Sequence, residues 1–323
     1  MIQVNDESGT RGSMKQPAKQ PAQTNRFGGI VVAAITPRRA HETSIDLAAM
    51  LEVVDFLGRS GVDAISLLGS TGEFVHFDLS DRSHMTAFAA KRCRLPLLVN
   101  VSHSTLDGAV ELAHDAADAG AGGLLLMPPY YFRYSQEAIR SFYLDFAERT
   151  HGELPTFLYN IPVFTNPMEI ETALGLLDTG LFAGIKDSSG SWDYFTRLRD
   201  HVTSKPYTIF VGDDRMFARA RAQGAGGTVS GVASALPELM VALEAAIRDG
   251  DRERTERLDR RVNEFVDWIV KFPAPVGIKE AARQRKLNAG APAAAAGDAE
   301  RAHMEQFIAW FKPWLAAVLE ESK

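Results

Sequence analysis

A lysine closes one of the apolar runs of this chain, FAGIK at residues 182–186. A strand ending there would carry the Lys186 side chain to the rim of the fold, where burial favours its neutral, nucleophilic amine. Such an amine condenses with a ketone to form a Schiff base, which draws electrons from the adjoining carbon. The same position also suits a lysine that snorkels to water or pairs with Asp187. Gly69-Ser70-Thr71-Gly72 sets two hydroxyls between two glycines. Backbone N–H groups in such a turn can converge on an anion while the hydroxyls relay protons. An ordinary tight turn would spend the same residues on local hydrogen bonds. TFLYN (156–160) leaves the Tyr159 phenol near the end of a run. There it either acts as an acid/base or fills a core position with its hydroxyl satisfied. Tyr130-Tyr131, after the double proline Pro128-Pro129, fits surface packing or a subunit contact.

These groups work together only if one scaffold gathers the ends of many runs. From Ile30 onward the chain repeats short apolar runs: IVVAAI (30–35), AISLL (64–68), LLVNV (97–101), GLLLM (123–127), TFLYN, FAGIK, TIFV (208–211) and GTVSG (227–231). They lack strict alternation, as strands buried on both faces do. Between them lie segments with helical spacing, such as Leu47, Met50, Leu51, Val54 and Leu57. Ser44, Ser80 and Ser135 stand where such helices would start. Eight strand–helix units fall between Ile30 and Gly250, at roughly 28 residues each, near the size of a βαβ unit. Eight is the number that closes a (β/α)₈ TIM barrel. An open doubly wound sheet would announce itself with G-x-G-x-x-G after the first strand, and Thr36-Pro37 stands there instead.

The expected organisation is a disordered lead (1–26), a barrel (27–250) and a C-terminal helical region packed on it (251–323). The lead is rich in Gln, Pro, Ser, Asn and Lys and has no apolar core of signal-peptide type; Met14 offers an alternative start. Helices are expected over 251–272, 275–288 and 299–320, with an Ala/Gly/Pro stretch at 289–297.

The chain has 323 residues, a net charge of −6, 46% hydrophobic residues and 24% charged ones, which suits a globular fold and not a disordered one. The 35 basic residues face 41 acidic ones without a basic block, so nucleic acid is not an expected partner. No apolar run reaches 18 residues, so no membrane span is expected. Cys93 stands alone, which rules out an intramolecular disulfide and suits a reducing, cytoplasmic compartment. The eight histidines contain no H-x-x-x-H or H-E-x-x-H pair, so no metal site and no metal-dependent aldolase is expected. The mixed-sign run 249–261 reads as a solvated helix face.

Active sites of (β/α)₈ barrels form at the C-terminal ends of the strands. Six motifs sit in order at those expected ends: GSTGE (69–73), PPYYFRYSQE (128–137), LYNIP (158–162), GIKDSSG (184–190), GDD (212–214) and GTVSG (227–231). With them the chain resembles the dihydrodipicolinate synthase / N-acetylneuraminate lyase family of class I, Schiff-base-forming pyruvate enzymes, over residues 27–285. The resemblance implies that Lys186 attacks the keto carbon of pyruvate or of a related 2-oxo acid, with no cofactor beyond that covalent imine. It implies that Gly69, Ser70 and Thr71 hold the pyruvate carboxylate, that Tyr159 shuttles protons, and that Ser188, Asp214 and Ser230 line the substrate site. Tyr131 matches the family tyrosine that reaches in from a neighbouring subunit to complete a Ser70–Tyr131–Tyr159 relay. That implies a homo-oligomer, commonly a tetramer built as a dimer of dimers.

Departures from the family pattern bear on the substrate. Dihydrodipicolinate synthases carry an arginine after the YNxP motif, paired with the carboxylate of aspartate semialdehyde; here the residue is Phe164. Phenylalanine cannot replace a bidentate guanidinium, and losing a buried pair of this kind costs on the order of 2–5 kcal/mol. Ser70 also looks more like the sugar-acid aldolase branch. The expected function is therefore a pyruvate aldolase or lyase acting on a 2-oxo-3-deoxy sugar acid. The alternatives are condensation of pyruvate with aspartate semialdehyde, and a non-catalytic ligand-binding barrel. Arg215 is expected either to hold a distal carboxylate or to lie at the surface. The alanine-rich stretch is expected to lie far from the chemistry.

Overall fold

The eight apolar runs form eight parallel strands: β1 (Gly29–Ala33), β2 (Ala64–Leu67), β3 (Leu97–Asn100), β4 (Gly123–Leu126), β5 (Thr156–Asn160), β6 (Gly184–Asp187), β7 (Thr208–Val211) and β8 (Gly227–Ser230). They are four or five residues long and almost wholly buried, which explains why the sequence shows continuous runs rather than alternation. The computed structural model describes residues 27–40, 42, 44–201, 203, 206–293 and 297–323. The expected disordered lead therefore lies outside the described residues, as do positions 294–296 of the alanine-rich stretch.

Each strand pairs with its successor, and β8 pairs with β1 through Gly29↔Gly227 and Ile30↔Thr228, which closes the barrel. The β5–β6 register sets Tyr159 opposite Lys186 and Asn160 opposite Asp187. The interior is filled with side chains. Phe27, just before β1, meets Phe157 edge-on at 5.8 Å, and Phe157 packs against Phe210 at 5.4 Å.

Eight helices follow the strands: α1 (Leu47–Gly58), α2 (Leu79–Arg92), α3 (Leu106–Asp118), α4 (Gln136–Arg149), α5 (Ile170–Asp178), α6 (Trp192–Asp200), α7 (Phe217–Ala222) and α8 (Pro237–Asp249). Each lays an apolar stripe on the barrel; α1, for example, buries Met50, Val53, Val54 and Leu57. Ser135 caps α4 as expected, accepting from the Ala138 N–H. Two starts differ. Asp46, not Ser44, caps α1, and Asp78 caps α2, so Ser80 lies inside the helix. Asp caps as well as Ser does, and where both stand close together the sequence does not separate them.

Three helices follow the last barrel helix: α9 (Arg252–Ile269), α10 (Val276–Gln284) and α11 (Asp298–Glu321). The contact between α9 and α11 is aromatic. Phe265, Trp268, Phe307, Trp310, Phe311 and Trp314 form one cluster, with Trp310 and Trp314 ring centroids 4.7 Å apart. Arg261 of α9 ties the cluster's edge to Glu321 of α11 at 2.6 Å. The stretch after α10 also meets the barrel. The Ala291 N–H donates to the Arg38 carbonyl at 2.9 Å, beyond the end of β1. Gly290 has φ +71°, and a Cβ there would overlap the Arg38 backbone, so glycine allows this close approach.

Candidate active site

Lys186 lies on β6 and is 5% exposed, with its Nζ 4.1 Å from the centroid of the Tyr159 ring on β5. The register pairing of these two residues is what brings amine and ring together. The Tyr159 hydroxyl lies 3.2 Å from Ser70 Oγ, so a hydroxyl pair leads from the strand-two turn toward the amine. The backbone N–H groups of Ser70 and Thr71 donate to no other described residue. A turn with two free N–H groups and two hydroxyls can hold a carboxylate.

Asp187 is not the partner of Lys186. Its carboxylate accepts from Asn160 Nδ2 at 2.8 Å and from Ser189 Oγ at 2.7 Å, and burial raises its pKa above the ordinary value. Asn160 in turn accepts from the Met168 N–H, fixing the loop after β5. This network was not foreseen, although Asn160, Asp187 and Ser189 all stand within the motifs.

Asp214 lies near both Ser230 and the Lys186 charge. Val232 N–H donates to Asp214 Oδ2 at 3.1 Å, the Ser230 hydroxyl lies close enough to act on the carboxylate, and among the described residues Asp214 Oδ1 is buried without a hydrogen-bond partner. Burial raises its pKa from 3.8 to about 6 against these hydrogen bonds and the nearby Lys186 charge. Because the folded pKa is the higher one, the stability this carboxyl contributes is fully present below about pH 3.8 and is lost as pH rises through about 6. Asp214→Asn is therefore expected to stabilise the protein at pH 7 by about 1–3 kcal/mol, with a smaller gain at pH 5. Calorimetric melting at both pH values checks this; an equal gain at the two would contradict it.

Gly212 is a further position that sequence inspection passed over, although it opens the GDD motif. A Cβ there would overlap Ser188 Oγ and lie 2.8 Å from Lys186 Cε. Gly212→Ala is expected to push the lysine stem aside, and a misplacement of about 1 Å costs on the order of 100-fold in turnover. Steady-state kinetics on the folded variant test this, and a loss below about threefold would show that the stem has room.

The remaining expected residues are spread more widely. Phe164 lines a cavity of about 270 Å³ with Ser70, Glu73, Phe74, Tyr130 and Thr165, and is 58% exposed. Tyr131 is 89% exposed with φ 84°, touches Phe132 edge-on, and in this single chain is not joined to the Ser70–Tyr159 pair. Arg215 is held by Asp267 of α9 at 2.6 Å, near the surface. Among the described residues, no group of three or more His, Cys, Asp or Glu side chains could hold a metal ion, and no helix is long and apolar enough to cross a membrane.

A closed parallel barrel whose rim gathers a buried lysine, a tyrosine and a hydroxyl-bearing turn brings together the groups that imine chemistry uses. The chain belongs to the dihydrodipicolinate synthetase family, whose model matches residues 26–310. Members of this family are lyases that use a lysine Schiff base with pyruvate and no external cofactor. The chain is 30% identical over 258 residues to a 4-hydroxy-tetrahydrodipicolinate synthase of Pseudomonas putida, covering 79% of this chain and 87% of that one. It is 28% identical over 267 residues to the enzyme of the same name from Methanococcoides burtonii, covering 82% and 90%. Among solved structures, the 2-keto 3-deoxygluconate aldolase from Picrophilus torridus superposes with a TM-score of 0.77 at 28% identity, covering 83% and 96%.

Proposed function

We propose that Lys186 forms an imine with the C2 carbonyl of pyruvate, and that the carbon–carbon bond is made or broken at C3. The observation that carries this reading is the Lys186 amine set against Tyr159, which itself meets Ser70. The amine adds to C2 and the carbonyl oxygen takes a proton, giving a carbinolamine. Loss of water gives the iminium, and loss of a C3 proton gives the enamine. The enamine carbon attacks an aldehyde, whose oxygen takes a proton, and water then releases the product. Cleavage of a 2-oxo acid runs the same steps in reverse. Tyr159 moves the protons, and the Gly69–Thr71 turn holds the carboxylate. Ser188, Asp214 and Ser230 face the rest of the substrate.

For the second substrate, the names of the curated relatives support aspartate semialdehyde better than the sugar acid placed first on sequence grounds. One observation favours a 2-oxo-3-deoxy sugar acid. Phe164 stands at the cavity where a guanidinium would meet the semialdehyde carboxylate, and the Picrophilus relative is named for such a substrate.

Val75, Tyr131, Phe132, Val163 and Phe164 are all exposed on the loops after β2, β4 and β5, and apolar exposure of that kind supports a subunit contact. The proposed assembly is a dimer of dimers in which Tyr131 crosses to a neighbouring site. The barrel (27–250) and the helical region (251–323) form its working unit, and the proposed location is the cytoplasm.

Borohydride with pyruvate is expected to add a pyruvyl group to the peptide bearing Lys186, and an unmodified Lys186 would overturn the imine. Turnover of pyruvate with aspartate semialdehyde, set beside cleavage of 2-oxo-3-deoxygluconate, then decides the second substrate. Activity is expected to survive EDTA.

A further inference from the structure

We propose that Lys279 is a positioning residue for the substrate-carboxylate turn and acts through Glu73. The proposal rests on the reading that Gly69–Thr71 holds the carboxylate. Glu73 directly follows that turn, with a left-handed backbone (φ 54°, ψ 35°) that an L side chain adopts only when its surroundings impose it. Its N–H donates to the Ser70 carbonyl at 3.0 Å, closing the turn on itself. Its buried carboxylate is ion-paired with Lys279 of α10, which is 1% exposed.

A lysine so deeply buried is held only by what it pairs with, and breaking such a pair leaves a charge stranded. Lys279 also reaches the Ala291 carbonyl at 3.5 Å, and Ala291 is bonded to Arg38 beyond β1. One residue before Lys279, Ile278 packs at Gly231, which itself adjoins Thr71 and Asp214. The outer helix α10 therefore presses on the strand-two turn through Lys279 and on the end of β8 through Ile278. The Glu73 side chain also lines the cavity that contains Ser70. The C-terminal helices thus help to shape the mouth of the barrel as well as packing against its wall.

Lys279→Met, Glu73→Gln and the double variant are compared with wild type for pyruvate affinity by calorimetry and for KM and kcat in the assay. Each single change is expected to weaken pyruvate binding about tenfold or more while kcat changes little. The double variant is expected to be no worse than either single one, because the two side chains act as one unit and no charge is left buried alone. Unchanged pyruvate affinity in the folded single variants would overturn the proposal, and so would strictly additive losses. A purely structural role would lower the amount of active enzyme and leave KM where it was, which also counts against positioning. Should Lys279→Met fail to fold, Glu73→Gln carries the test alone, since the amine left behind can shed its proton. Failure of the imine reading is separate: it shows as an absent borohydride adduct in wild type, whereas the pair is judged on pyruvate affinity.

Discussion

Lys186→Met is expected to lower turnover by roughly four orders of magnitude or more, because it removes the only step that converts a ketone into an electron sink. Methionine matches the lysine stem in length and packs well in irregular gaps, so the barrel should fold around it. Lys186 is buried beside Tyr159 and below Gly212, and an amine there costs desolvation that a thioether does not. The variant is therefore expected to melt no lower than wild type while losing both activity and the borohydride adduct. Mass spectrometry after reduction with pyruvate, together with a melting curve, checks both halves. Residual activity within about tenfold of wild type would mean that another group performs the attack.

Tyr159→Phe is expected to reduce kcat by about 10²–10⁴, the range of a positioned acid or base. The change keeps the ring that lies 4.1 Å from the Lys186 amine and removes only the hydroxyl that meets Ser70. Imine formation should therefore survive, slowly, and the adduct trapped after long incubation should approach the wild-type amount. That outcome differs from the lysine variant, in which no adduct forms at all. A rapid-quench time course separates the two, with slow trapping to full extent marking a proton-transfer defect. If trapping stays fast while kcat falls, Tyr159 acts only after the imine exists.

Much of this was legible in the sequence because buried parallel strands and rim residues leave plain signatures. FAGIK and TFLYN supply β6 and β5, and Lys186 meets Tyr159 across the ladder between them. Ser70 and Tyr159, read from separate motifs, meet directly in the single chain, whereas the expected relay included Tyr131. What stayed hidden depends on distance in three dimensions. Nothing local in GDD says that Gly212 must lack a side chain to clear Ser188 and Lys186. Nothing in GSTGE or in the α10 sequence says that Glu73 and Lys279, some two hundred residues apart, share a buried contact. Arg215 could not be placed from its neighbours, since its partner Asp267 belongs to α9. The contacts of the alanine-rich stretch run through backbone atoms, Gly290 and Ala291 against Arg38, which composition does not reveal.

The aromatic cluster shared by α9 and α11 has a practical consequence. Of the four tryptophans in the chain, Trp268, Trp310 and Trp314 lie within it, and only Trp192 belongs to the barrel helices. Intrinsic fluorescence therefore watches mainly one end of the polypeptide, while far-ultraviolet circular dichroism averages over all of it. In a urea titration the two signals become separate gauges of the two regions. Coincident midpoints would show that the barrel and its C-terminal helices melt as one cooperative body, and an earlier fluorescence transition would show the helices detaching first.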